Sequence, residues 1–126
     1  MNVAEMVSKA RTEIQNLTPD QVAAEIERAG VILVDVREPN EVADGVIPGA
    51  ISVPRGMLEF HADPTSPYHL DELQPERRVV VYCKSGSRSA LAGAALKALG
   101  YRDVAHLDGG MAAWTQSQRP TARIGG

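Results

Sequence analysis

The single thiol of the chain, Cys83, stands where an apolar run, Val79–Tyr82, gives way to small residues and two cations: Lys84-Ser85-Gly86-Ser87-Arg88-Ser89. An alanine- and leucine-rich segment follows, so the thiol falls between the end of a strand and the start of a helix. Glycine and serine let the backbone curl until successive N–H groups point inward as an anion-binding nest. The helix behind it aims its positive end at the same spot, and Lys84 and Arg88 add formal charge. Such surroundings favour thiolate over thiol and can lower a cysteine pKa by roughly one to several units from ~8.5. The expected product is a nucleophile with a taste for anions, cradled by residues 84–89. The structural alternative is a small buried hydrophobe at a strand end, with Ser87 merely capping and Gly86 merely turning. A lone cysteine favours that alternative; a cysteine with Gly86, three serines and two cations before a helix favours chemistry.

Phosphate chemistry is the rival. A cysteine phosphatase places an arginine six positions after its cysteine, so that the loop encircles a whole phosphoryl group. Here Arg88 comes five positions after Cys83 and position 89 is serine. The shorter loop makes a tighter bowl, better matched to one added sulfur. A nucleotide-binding loop is excluded because Gly-Lys-Ser/Thr is absent.

Elsewhere the residues read as framework. Asp35 and Arg37 follow an apolar run and suit an ion pair or hydrogen-bond network. His61, His69 and His106 show no ligand spacing, and one cysteine cannot build a structural zinc site, so no metal is expected. No carboxylate pair has acid–base spacing and no Ser-His-Asp arrangement is evident; no cofactor is called for. Trp114 and Met111 read as core, His106 as locally satisfied, Asp108 as a helix cap, and Glu25, Glu27 and Arg28 as a solvated helix face.

The elements that position these residues alternate. Residues 3–14 predict a helix with Val3, Met6, Val7, Ala10 and Ile14 on one face. Thr18-Pro19-Asp20-Gln21 is a capping box with proline at the first helical position, and the helix runs to about Ala29 before Gly30. Val31–Val34 is a strand apolar on both sides, and Asp35–Pro39 leaves it as a loop. A short helix near 40–43, a strand at 50–53, a helical turn at 56–61 and a long proline-marked connection at 63–76 follow. Val79–Tyr82 and Val104–Leu107 are strands, Ser87–Leu99 and Gly110–Gln116 helices. The fold class is α/β: a mostly parallel, twisted sheet of about five strands with helices on both faces. The expected division is a helical extension at 1–16, a domain at 17–120 and a tail at 121–126.

Composition sets the outer limits. The chain has 126 residues, 44% hydrophobic and 23% charged, which suits one ordered domain. A net charge of −3 argues against nucleic acid and anionic membranes, which call for a basic surface. The N-terminus lacks a basic stretch followed by an apolar one, and no run approaches the ~20 apolar residues of a membrane span. A soluble cytoplasmic protein in a reducing compartment is the expectation.

Five segments resemble the rhodanese (thiosulfate sulfurtransferase) family of single-domain type, in the family's order. They are Leu33–Glu38, Gly45–Ala50, Val53–Gly56, Tyr82–Ser89 and Leu107–Trp114. One departure is Val46, where the family often has a structural histidine. The resemblance implies a rhodanese-like fold and a sulfurtransferase. Cys83 would take the outer sulfur of an anionic donor such as thiosulfate, carry it as a persulfide bound by Lys84, Ser85, Gly86, Ser87, Arg88 and Ser89, and yield it to cyanide or a small or protein thiol. With no second cysteine, that acceptor comes from outside. It implies Asp35 and Arg37 as organisers of the active loop and Arg55 as a candidate substrate contact, a stacked or solvated arginine being the alternative. A persulfide carrier in a sulfur relay is the second reading, a cysteine phosphatase or arsenate reductase the third. Donor, acceptor, oligomeric state and the role of the first helix are left open by the sequence.

Overall fold

A computed structural model describes residues 1–123 of the chain. The elements in order are α1 (Val3–Glu13), β1 (Gln15–Leu17), α2 (Pro19–Ile26), β2 (Ile32–Asp35), α3 (Pro39–Val42), β3 (Ile51–Ser52), a 3₁₀ turn (Arg55–Met57), α4 (Leu58–Ala62), β4 (Val79–Tyr82), α5 (Ser87–Ala98), β5 (Val104–Leu107) and α6 (Gly110–Gln116). The strands form one parallel sheet in the order β1-β5-β4-β2-β3.

The uniformly apolar strands are buried because both sheet faces are covered. Alternation along β4 sends Val79 and Val81 to one side, among Ile14, Leu58, Ala92 and Leu96 from the α1 end, α4 and α5. Val80 and Tyr82 go to the other, among Val22 of α2 and Met111 and Trp114 of α6. Each fully buried Val or Leu contributes about 1.5–3 kcal/mol over an exposed one, so this alternation fixes which face of β4 meets which helix. The α2 start forms as its sequence dictates: the Thr18 hydroxyl accepts from Gln21 N–H at 3.2 Å, and the Gln21 side chain accepts from Thr18 N–H at 2.9 Å.

Several details depart from expectation. The first helix ends at Glu13, and β1 pairs with β5 in the register Asn16↔His106, straddling the boundary expected between residues 16 and 17. Ala10 and Ile14 of the expected apolar face are buried, but Val3 and Met6 stand in solvent. Asp35 belongs to β2, because an ion pair stabilises its buried carboxylate there. Glu25 is tied to Arg78 at 2.9 Å, so that part of α2 is not a solvated face. In the expected tail, Ala122 exchanges two backbone hydrogen bonds with Val46, at 2.7 and 2.8 Å; residues 124–126 lie outside the described residues. No described helix is long and apolar enough to cross a membrane.

Candidate active site

Cys83 leaves the carboxyl end of β4, between β5 and β2, where open α/β sheets hold their ligands. Its sulfur accepts from the backbone N–H groups of Gly86, at 3.1 Å, and Ser89, at 3.3 Å. The side chain is buried, with the residue 1% exposed. The turn that aims these amides needs Gly86 at φ +108°, a conformation costly for residues with a Cβ. A Cβ there would also lie 3.3 Å from Gly109 N and 3.4 Å from the Arg11 guanidinium, so α1 reaches the edge of the loop.

The loop's carbonyls are turned the other way. Those of Cys83 and Lys84 accept from the N–H groups of Met111, at 2.8 Å, and Ala112, at 3.0 Å, in the first turn of α6. Gly110 makes this approach feasible, since a Cβ at its φ of +61° would sit 2.5 Å from the Lys84 carbonyl. The start of α6 therefore takes the carbonyls and leaves the amides facing the sulfur. Gly109, in left-handed conformation, occupies the cap position expected of Asp108, and Asp108 instead pairs with Arg11 at 3.1 Å.

The cations divide. Lys84 and Ser85 are exposed, as is Ser87. Lys84 borders a cleft of about 240 Å³ that Arg37, Glu41 and Thr115 also line. Arg88 donates from both terminal guanidinium nitrogens to the Glu41 carboxylate, at 2.7 and 3.0 Å. That contact holds the Glu41 pKa down to about 2 and raises that of Arg88. Arg55 pairs with Glu59 at 2.8 Å, while its backbone N–H bonds Val36 at the exit of β2. Asp35 and Arg37 form a buried pair at 2.7 Å; Arg37 also donates to the Gly45 carbonyl and lies over the Tyr82 ring, 5.7 Å from its centroid. They tie the β2 exit to the loop before β3 and touch the strand that carries Cys83. Among the described residues, no three potential ligands are grouped to hold a metal.

Sequence reasoning did not find Glu41, Asn16 or the connection through His106. Ser89, from α5, places its hydroxyl 3.5 Å from the Cys83 sulfur and 2.8 Å from His106 Nδ1. His106 Nε2 lies 2.7 Å from Asn16 Oδ1. Burial lowers the His106 pKa to about 4; Asp108 pulls it up and Arg11 pushes it down. Asn16 and His106 are 90 residues apart and meet only because β1 pairs with β5, so no local pattern announces them.

The rhodanese-like domain family matches residues 18–117, and the chain belongs to that family. A sulfurtransferase of Allochromatium vinosum is 38% identical over 108 residues, 86% of this chain and 92% of that protein. A solved structure from Rhodopseudomonas palustris, of a protein of unknown function described as a possible tyrosine phosphatase, superposes with a TM-score of 0.91 at 38% identity, covering 97% of this chain and 95% of that one. Thiosulfate sulfurtransferase of Pseudomonas aeruginosa gives a TM-score of 0.75 at 28% identity, over 91% of this chain and 21% of the larger one.

Proposed function

We propose that the chain is a sulfurtransferase that moves a sulfane sulfur from an anionic donor, thiosulfate being the type, to a thiol or cyanide through a persulfide on Cys83. The observation that carries this reading is the pair of backbone N–H groups converging on the Cys83 sulfur, in a loop with its carbonyls drawn away by α6. The thiolate attacks the outer sulfur of thiosulfate. A Cys83 S–S bond forms, the donor's S–S bond breaks, and sulfite leaves with its electron pair. The amides that held the thiolate then hold the persulfide, at no cost in reorganisation. An incoming thiolate or cyanide attacks the outer sulfur and releases Cys83 as thiolate. Lys84, exposed beside the cleft, is placed to draw in the anionic donor. Arg88 contributes less formal charge than its position suggests, because Glu41 offsets it.

Incubation with thiosulfate should add the mass of one sulfur atom to the intact chain. Cyanide should remove it, and Cys83→Ala should never acquire it; an unchanged mass in the native protein would refute the reading. Turnover of thiosulfate with cyanide, set against sulfur uptake from a cysteine desulfurase, distinguishes this enzyme from a persulfide carrier. Phosphate-ester hydrolysis abolished by Cys83→Ser would instead favour the activity suggested for the Rhodopseudomonas protein. Arg88 argues against it, since Glu41 already occupies the guanidinium edge that a phosphate would need.

A further inference from the structure

The connection from Cys83 to Asn16 has a direction that its hydrogen bonds determine. Asn16 Nδ2 lies 3.0 Å from the Arg11 carbonyl and 3.3 Å from that of Ile14, so the amide donates there and turns Oδ1 toward His106. His106 Nε2, 2.7 Å from that oxygen, must therefore carry a proton. In a neutral imidazole Nδ1 is then bare, and it accepts from the Ser89 hydroxyl. The lone pairs of Ser89 Oγ are left to receive the S–H of Cys83.

We propose that Asn16 and His106 are positioning residues that act through Ser89 as a proton wire, receiving the thiol proton of Cys83 as its nucleophilic thiolate forms. The idea rests on Cys83 being the nucleophile. The S–H proton passes to Ser89 Oγ while the hydroxyl's own proton passes to His106 Nδ1. Thiol and imidazole become thiolate and imidazolium, and no proton is lost or gained. Before the shift the chain runs S–H to Oγ–H to Nδ1, with Nε2–H on Asn16. After it, Nδ1–H donates to Oγ, and Oγ–H joins the Gly86 and Ser89 amides on the sulfur. Every group is satisfied in both states, so the shift leaves no buried donor or acceptor orphaned. The reverse shift restores the thiol once the sulfur has been handed on.

The charged groups around His106 are Arg11 of α1 and Asp108 of the β5–α6 turn, paired with each other at 3.1 Å, and the thiol of Cys83 is reached only through Ser89. Arg88 of α5 is turned to Glu41. Burial disfavours an isolated imidazolium, so a charged His106 is sustained by the thiolate at the far end of the wire. Asn16 fixes which nitrogen is protonated, and it lies outside residues 18–117, the span that matches the family.

The rate of Cys83 alkylation by iodoacetamide against pH tests the wire without any sulfur donor, so it is read independently of sulfur transfer. In Asn16→Asp a carboxylate faces Nε2–H and favours the imidazolium. The midpoint of the profile should fall by about one pH unit, a tenfold change at fixed pH. In His106→Gln the amide cannot take the proton, and the midpoint should rise by a similar amount. Adding Ser89→Ala to Asn16→Asp cuts the wire and should erase the Asn16 shift. A merely structural role predicts that both single variants move the same way, and that outcome overturns the wire. So does an Asn16→Asp shift that survives Ser89→Ala. Asn16 stands at the surface, and if His106→Gln does not fold, an unmoved midpoint in Asn16→Asp suffices to reject it.

Discussion

Arg88 and Glu41, 47 residues apart in sequence, meet through two hydrogen bonds of 2.7 and 3.0 Å and join the start of α5 to α3. The Glu41 pKa falls from 4.5 to about 2, chiefly through this contact. A carboxylate whose pKa is lowered by folding stabilises the fold above its unfolded pKa and ceases to as pH falls through the folded one. Glu41→Gln should therefore lose stability near neutrality but fall less steeply than the native chain between about pH 4.5 and pH 2. Urea unfolding across that range measures it; parallel curves would contradict the linkage.

His106 produces a second pH dependence, in a different window. Its pKa drops from 6.5 unfolded to about 4 folded, mainly through burial. The unfolded chain takes up the proton first, so the native state loses stability as pH falls from about 6.5 to about 4. The loss amounts to about 3 kcal/mol and should be absent from the His106→Gln profile, so that it appears as the difference between the two proteins. An equal slope in both proteins would show that the imidazole titrates normally.

Asp35 and Arg37 are buried together, the residues 0% and 5% exposed. Arg37→Leu strands the carboxylate and should cost about 3–5 kcal/mol. Asp35→Asn added to it should recover part of that loss, because an amide is cheaper to bury than an unpaired charge. Urea midpoints at constant m-value give the answer, and an additive double variant would mean the two residues act separately.

Gly110→Ala sets a methyl carbon against the Lys84 carbonyl at a φ of +61°. A loss of about 2 kcal/mol is expected, with slower sulfur uptake by Cys83, because the methyl group pushes the α6 amides off the loop carbonyls. Uptake at the native rate in a destabilised variant would detach the start of α6 from the chemistry.

Cys83→Ser should abolish sulfur uptake while moving the unfolding midpoint little, since serine nearly preserves the volume and keeps an acceptor for the Gly86 and Ser89 amides. Sulfur uptake by this variant would remove Cys83 from the reaction.

The parts of the fold legible in the sequence are those with a local cause. Val79–Tyr82 and Val104–Leu107 form strands at the expected residues, as their uninterrupted apolar runs demand, and Thr18-Pro19-Asp20-Gln21 caps α2 through its own side chains. The three-residue β1 buries only Leu17 and owes its existence to pairing with β5, so its own residues show neither alternation nor an apolar run. The cysteine loop could be read as a nest because serines and a glycine follow the thiol. That Glu41 occupies Arg88, or that Ser89 leads to His106 and Asn16, depends on strand order and helix placement, which only the folded sheet supplies.

A practical consequence follows from β1. A polypeptide trimmed to the span that matches the family, residues 18–117, would retain the whole cysteine loop and lose Asn16 and Arg11. The imidazole could then choose either tautomer, and the loop's edge would be open to solvent. Shared ancestry and hydrogen bonding draw the borders of this module in different places, and excising it at the first leaves the second severed.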